Sequence, residues 1–343
     1  MARLLSCLLL AAAFASAAWA DVTVTILNND DPGEGFNDPT VVAAVGINPE
    51  TTLGAQRLFV FNQAGVILSN FLDSNVEIIV RSNFDPLFCD AQFAQLGLAG
   101  AALLNSNFPG ADRLDTWYHV ALANRLTGRD LDPNPPEGSV GHDVFARFNT
   151  LLDSDDNCLG GTDWYYGADA NAPFGTLDLL QVVLHEIAHG IGFSNFVDER
   201  DGTSPLDLPD IYTVYTFDTT TNEHWDTMTE AERVASAINT GNVVWDGPHV
   251  TAATGFLTSG ADGQGRLRFF TPNPVAFGSS ISHWIDTASP DLLMEPSIGN
   301  VSGYGLDLTD EQLFDVGWEE GRTGIFLDGF ESGDLTLWSS TVQ

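Results

Sequence analysis

The chain has 343 residues, 44% of them hydrophobic, so it can bury a sizeable core and does not belong to the disordered class. Its 47 acidic residues stand against 12 basic ones, every one an Arg, and the formal net charge is −35. Phosphate binding depends on clustered Lys and Arg, so this balance excludes nucleic acid and anionic membranes as expected partners.

The acidic excess itself has two interpretations. It is either an adaptation to salt or calcium, or a solvated surface that keeps the protein in solution. Charge alone does not decide between them.

The first twenty residues predict a secretory signal peptide. Arg3 precedes an apolar run from Leu4 to Ala15, and the small residues Ala18 and Ala20 lie before a cleavage point at Asp21. We therefore expect an exported protein, extracellular or periplasmic. No later stretch approaches the roughly 18 apolar residues of a membrane span.

Two cysteines remain after removal of Cys7 with the signal peptide. In an exported chain, Cys89 and Cys158 are expected to form a disulfide rather than to serve as reactive thiols.

In chain order, the first elements are of mixed type. Alternating β-branched and apolar residues predict strands at Val22–Leu27, Val76–Val80 and His142–Asn149, and the spacing of apolar residues predicts a helix over Arg113–Leu126. The strand from His142 is either a sheet edge on which an extended peptide pairs or an interior strand. These elements indicate an α+β fold.

A helix with one apolar face follows. Thr176 is its expected cap, Asp178 lies in its first turn, and Gly190 and Gly192 are expected to end it after His189. Its apolar face marks it as a core element.

The remaining elements are shorter. Helices are predicted over Thr227–Asn239, with a Thr227 or Thr229 cap, and over Leu308–Val316, starting near Thr309. Loops are predicted at Asn222–Asp226 and Thr271–Ser280. Residues 322–343 form an acidic and aromatic tail, interpreted either as a secretion or attachment signal or as a short docked strand.

The sequence His185-Glu-Ile-Ala-His189 is the strongest motif. Residues four apart are about 40° apart around a helix, so both imidazoles leave one face and can hold one ion. Two neutral imidazoles suit zinc, and Glu186 beside them can accept a proton from water. About 0.006 such matches are expected by chance in a chain of this composition.

A catalytic zinc needs a third protein ligand. The motif continues with Gly190 and Gly192, as in the metzincin zinc peptidases, but the position of their third ligand holds Asn195, whose amide is a poor zinc ligand. The ligand is therefore expected further along. The histidines outside the helix are His119, His142, His224, His249 and His283.

The segment from Ser282 to Pro296 distinguishes His283. It begins His-Trp and ends Leu-Met-x-Pro, and it resembles the leishmanolysin family of metzincins, in which an insertion precedes the third His and a Met-containing turn follows it. The resemblance covers about Leu177–Phe193 and Ser280–Trp318. It implies that His185, His189 and His283 bind one Zn²⁺, that Glu186 is the general base, and that Met294 lies beneath the metal without binding it.

The resemblance also implies an architecture. A mixed, twisted sheet and the zinc helix would form an N-terminal subdomain at 21–193. An insertion would occupy 194–279, and a mostly irregular and helical C-terminal subdomain would occupy 280–321. Acidic alternatives for the third ligand are Asp198, Glu199 and Glu230, as in zinc peptidases in which a downstream helix supplies a carboxylate.

These residues indicate a secreted zinc endopeptidase acting on peptide or protein substrates. Tyr304 is a candidate oxyanion donor, with a structural role as the alternative. Ca²⁺ is a further candidate cofactor at Asn29–Asp38, Asp153–Asn157 or Asp198–Asp201, none of which has the spacing of an EF-hand loop. The rival functions are an exported metal-binding protein without activity and a metal-dependent hydrolase of non-peptide bonds. The oligomeric state does not follow from the sequence.

Overall fold

A computed structural model describes residues 22–132, 141–299 and 303–321. The signal peptide predicted for residues 1–20 and the tail at 322–343 lie outside the described residues. Within them the fold is α+β, as predicted, and consists of helices and several small sheets, none of which is closed.

The α-helices of the described part are α1 (Leu53–Phe71), α2 (Val120–Thr127), α3 (Leu151–Ser154), α4 (Leu179–Ile191), α5 (Glu230–Ser236), α6 (Pro248–Ala253) and α7 (Thr309–Val316). The strands are β1 (Val24–Asn28), β2 (Leu72–Asp73), β3 (Ile78–Asp85), β4 (Gly97–Ala101), β5 (Leu104–Asn105), β6 (Tyr118–His119), β7 (Val144–Asn149), β8 (Asp163–Tyr165), β9 (Thr176–Asp178), β10 (Thr216–Asp218), β11 (Glu223–His224), β12 (Val243–Trp245), β13 (Leu267–Arg268) and β14 (Glu319–Glu320).

The first sheet has the order β1-β3-β7-β4. The first three strands are parallel, and β4 runs antiparallel to β7 at the edge. The three predicted strands correspond to β1, β3 and β7 with shifted ends. Because β7 lies between β3 and β4, it is an interior strand, and β4 forms that edge of the sheet.

The predicted helix over Arg113–Leu126 is wrong in its first half. The chain turns at Asp115, whose φ is +53°, and β6 then pairs with β5 before α2 begins. Leu114, which the apolar spacing places on the buried face, is 72% exposed. The apolar residues of this segment recur at helical spacing, but Leu114 does not have the burial that this spacing implies.

The helix that carries the motif, α4, starts later than predicted. Thr176 lies in β9, which pairs with β8, so the helix begins only at Leu179 and Asp178 caps it by accepting a hydrogen bond from Leu180 N at 3.0 Å. Gly190 lies inside the helix, which ends with Gly192 as its C-cap. A Cβ at Gly190 would lie 2.3 Å from Val144 Cγ1, so Gly permits close packing of α4 on β7.

The region between the motif and His283 folds around its own sheet, of order β11-β10-β12-β13. Thr229 caps α5 in a capping box with Glu232, as one of the two predicted caps. Residues Glu223 and His224, predicted as loop, form the short edge strand β11. The final predicted helix is α7, which begins at Thr309.

Two further expectations concern the whole chain. Cys89 and Cys158 form a disulfide with their Cα atoms 5.3 Å apart, which confirms the predicted pairing. Among the described residues, none of the helices combines the length and the apolar character needed to cross a membrane.

Candidate metal centre

The centre is built on α4, which packs against β4 and β7 of the first sheet and against α1. Its apolar residues are fully buried, including Leu180, Leu184 and Ile187. Burial of this face fixes the rotation of the helix. His185 and His189, four residues apart, therefore project together from the other side into a cleft.

His283 completes the cluster from a loop about ninety residues later in the chain. The Nε2 atom of His185 lies 3.0 Å from that of His189 and 3.2 Å from that of His283, and the third distance, between His189 and His283, is also 3.2 Å. Within the described part of the chain, these three side chains form the group of ligand-type residues that could hold a metal ion.

The other ring nitrogen of each histidine is held by a backbone carbonyl. Nδ1 of His185 lies 2.7 Å from Leu293 O, and Nδ1 of His189 lies 2.7 Å from Phe193 O. Nδ1 of His283 lies 2.8 Å from Ser279 O. A carbonyl oxygen only accepts hydrogen bonds, so each Nδ1 carries the proton and donates.

This tautomer leaves three Nε2 lone pairs pointing at one another. Neutral imidazoles in this arrangement have no proton to share between them, and three acceptors in contact repel one another unless a cation lies among them. Burial also lowers the pKa of His185 to about 4 and that of His283 to about 3, and lowers the pKa of His189. The cluster is therefore neutral and suited to a metal ion.

The predicted Met turn supports the cluster directly. Leu293 N donates to Asp307 Oδ2 at 2.6 Å, and Leu293 O accepts from His185. Met294 follows and is fully buried, and its carbonyl accepts a hydrogen bond at 2.8 Å from Trp284 N, in the residue that follows His283. The turn and the third histidine are thus fixed to each other.

Asn195 occupies the position at which a compact metzincin pattern would carry its third ligand. Its side-chain Nδ2 donates to Ser282 Oγ at 3.0 Å, and its Oδ1 accepts from Val197 N at 2.9 Å. The amide therefore connects the chain after α4 to the residue that precedes His283. It positions the cluster and does not belong to it.

The acidic alternatives lie outside the cluster. It contains His283 and none of Asp198, Glu199 and Glu230. Asp198 instead forms an exposed ion pair with Arg200 at 3.5 Å, and Glu230 begins α5 on the surface.

Each of the three predicted calcium loops has at least one carboxylate that contacts another group of the protein. Asp30 accepts hydrogen bonds from Phe36 N and Phe84 N, and Asp153 pairs with Arg57 at 2.8 Å. In the third loop, Asp198 accepts from Arg200 N and Asp201 from Thr203 N.

Glu186 lies beside the histidines in a cleft of about 1230 Å³. The side chain is only 7% exposed, and burial raises its pKa to about 8. A cation bound by the neighbouring histidines would oppose this shift, because it favours the charged carboxylate. Edge strand β4 forms one wall of the same cleft.

Tyr304 lies at the other end of α4. Its hydroxyl donates to Asp178 Oδ2 at 2.7 Å and accepts from Ala170 N at 2.7 Å. Asp178 precedes His185 by seven residues, or about 10 Å along a helix. In this structure the hydroxyl joins Asp178 at the start of α4 to Ala170, a contact of the kind expected for the structural alternative to oxyanion binding.

Two residues that support the centre are not singled out as functional by the sequence. His119 is fully buried, and its Nε2 lies 2.8 Å from Ser194 Oγ, which in turn donates to His189 O at 3.1 Å. Burial lowers the pKa of His119 to about 3, so the ring is neutral. The contact joins residues 75 apart in the chain, and Ser194 occupies an unspecified position of the motif, between Gly192 and Asn195.

The surface histidines His224 and His249 have different surroundings. His224 pairs with Asp246 at 2.7 Å, and His249 lies 3.6 Å from Glu311.

Comparison of the chain with protein-family models, with curated proteins and with solved structures finds no match.

Proposed function

We propose that the protein is an exported, zinc-dependent endopeptidase of the inserted, leishmanolysin-like metzincin type. The convergence of three Nε2 atoms, each 3.0–3.2 Å from the others, carries this proposal. Two nitrogens bound at 2.0–2.1 Å to one tetrahedral zinc lie about 3.3–3.4 Å apart, so the donor set fits that ion closely. Three neutral imidazoles also favour zinc over calcium or magnesium, which prefer oxygen ligands.

His185, His189 and His283 would hold the zinc. When bound, the ion would lower the pKa of water and polarise a carbonyl group. The three hydrogen bonds to backbone carbonyls fix the rings with Nε2 directed inward, which preorganises the site.

Glu186 is the proposed general base. A carboxylate oxygen of Glu186 takes a proton from the attacking water as the water oxygen bonds to the scissile carbonyl carbon. The same carboxylate oxygen then gives the proton to the amide nitrogen as the carbon–nitrogen bond breaks. Its burial beside the cluster keeps the carboxylate within the cleft.

The shape of the cleft favours an extended chain as substrate. All five residues of edge strand β4 line the cleft. Among the described residues, no further strand of the first sheet pairs with the outer edge of β4. A peptide can add to such an edge through backbone hydrogen bonds. The disulfide is typical of proteins that fold in oxidising compartments and agrees with export.

The decisive experiment compares the wild type with Glu186→Gln. We expect both proteins to bind one equivalent of zinc, measured by atomic emission, and the variant to lose about 10²–10⁴-fold in the rate of casein hydrolysis. Glu223→Gln, an exposed site outside the cleft, is the matched control and should retain the wild-type rate.

Other outcomes distinguish the rival functions. A zinc-loaded wild type without hydrolytic activity on peptides, esters or amides would indicate a binding protein. Hydrolysis of esters alone would indicate a non-peptide hydrolase. Wild-type rates in the Glu186→Gln protein would remove Glu186 from the mechanism.

A further inference from the structure

Gly97, the first residue of β4, lies directly against the carboxylate of Glu186. A Cβ built on Gly97 would lie 2.8 Å from Glu186 Oε1, 2.9 Å from Cγ and 3.0 Å from Cδ. Real Cβ atoms essentially never approach heavy atoms within 3.0 Å. The space that a side chain would occupy at residue 97 is therefore filled by the carboxylate.

Backbone conformation does not account for this glycine. Gly97 is paired in the strand ladder opposite Phe148, and its φ lies outside the positive range that L-residues rarely adopt. A glycine within a strand is less favourable than Ala, and it often marks a close approach by another group. Here the approaching group is Glu186.

The two partners differ in how easily they can move. Gly97 belongs to a strand bonded to β7 over five residue pairs. The Glu186 carboxylate is the end of a flexible side chain, so an added methyl group would displace the carboxylate rather than the strand. Glu186 is buried at the wall of the cleft, so a displaced carboxylate would move relative to the histidines that line the same cleft.

We propose that Gly97 is a positioning residue that sets the place of the Glu186 carboxylate beside the three histidines. The proposal rests on the proposed function of Glu186 as the base. One wall of the cleft would then serve two purposes, because β4 offers its edge to the substrate and its first residue locates the proton acceptor.

The test is a double-mutant cycle of Gly97→Ala and Glu186→Gln. We expect Gly97→Ala to retain zinc and to lose about 10–100-fold in kcat with little change in KM, since misplacement by about 1 Å can cost 10²-fold. In the Glu186→Gln background, Gly97→Ala should change kcat less than about threefold, because no base remains to be displaced.

Gly100→Ala is the matched control on the same strand. Its Cβ would meet the Phe145 ring at 3.0 Å instead of Glu186. Any loss that it causes should therefore be the same in both backgrounds. An equal loss for Gly97→Ala in both backgrounds would overturn the proposal and assign the effect to β4 or to substrate pairing.

A second readout is independent of turnover. Acetohydroxamate is a small zinc chelator that also hydrogen-bonds a neighbouring carboxylate. It should bind the Gly97→Ala protein about tenfold more weakly than the wild type. In the Glu186→Gln background, Gly97→Ala should cause no further loss of affinity. A crystal structure of Gly97→Ala should have the carboxylate displaced and β4 in place. A shifted β4 with an unmoved carboxylate would refute the inference even if the protein had no peptidase activity.

Discussion

The backbone carbonyl that accepts from Nδ1 fixes the ring orientation and the tautomer of each histidine in the cluster. For His283 that partner is Ser279 O, four residues earlier in the same loop. The loop is tied to the chain after α4 through Ser282 and Asn195. Like the two helix residues, His283 thus has its ring held by a backbone carbonyl, although it lies far from them in the chain.

His283→Ala is predicted to lose the metal. Two nitrogens from α4 would remain, and because the loss of a supporting residue alone costs 10–100-fold in affinity, we expect a fall of at least about 10²-fold. Zinc content after dialysis and a competition titration with a chromophoric chelator measure it. His249→Ala, on the surface, is the control. A His283→Ala protein with full zinc content and activity would contradict the assignment.

The residues of the centre differ in how far the sequence can predict them. The spacing of His185 and His189 is local, so helical geometry suffices to place both on one face. His283 is predicted from the motif that follows it. The role inferred for Gly97 depends on contact between segments about ninety residues apart, and a glycine carries no sign of the side chain that approaches it.

Among the elements, α4 has its two ends fixed by different means. Its C-terminal end lies at the cluster, whereas its N-terminal end depends on Asp178, which accepts hydrogen bonds from Leu180 N and from the Tyr304 hydroxyl. Tyr304 thereby connects the chain after the Met turn to the start of the helix.

Tyr304→Phe separates this structural role from oxyanion binding. Ala170 N would lose its acceptor and Asp178 one donor, so we expect the free energy of unfolding, measured in urea, to fall by about 1–3 kcal/mol. The kcat should change less than about threefold. Loss of an oxyanion donor costs about 10²–10³-fold in kcat, so a fall of that size with unchanged stability would indicate the catalytic role instead.

Two elements that the sequence does not predict, α1 and β4, escape prediction for different physical reasons. Helix α1 buries the polar Gln56 and Arg57 and exposes Val66, which obscures its periodicity. Arg57 is compensated by Asp153, almost a hundred residues away. Edge strand β4 consists mainly of Gly and Ala and lacks the β-branched residues that mark strands.

At the scale of the whole molecule, the region between the motif and His283 is part of the structure that holds the site together. Tyr212 OH donates to Ile281 O at 2.9 Å, and Phe196 N donates to Asp210 Oδ2 at 2.8 Å. Phe270 N donates to His283 O at 2.9 Å. Hydrogen bonds thus cross the predicted boundary at 279/280, and residues from the region between the motif and His283 help to position the third histidine.

The acidic surface gives a prediction for the entire chain. With a net charge of −35 at pH 7, repulsion opposes compaction, and salt screens it over a Debye length of about 10 Å at 0.1 M. For metal-free protein, we expect the Tm, followed by circular dichroism, to rise as NaCl increases from about 0.01 to 0.5 M. Near the sequence pI of about 4.1 the rise should vanish, because repulsion is then minimal.

CaCl₂ at equal ionic strength should act like NaCl. A larger stabilisation by calcium would reveal a specific site and contradict a purely electrostatic role for the acidic residues.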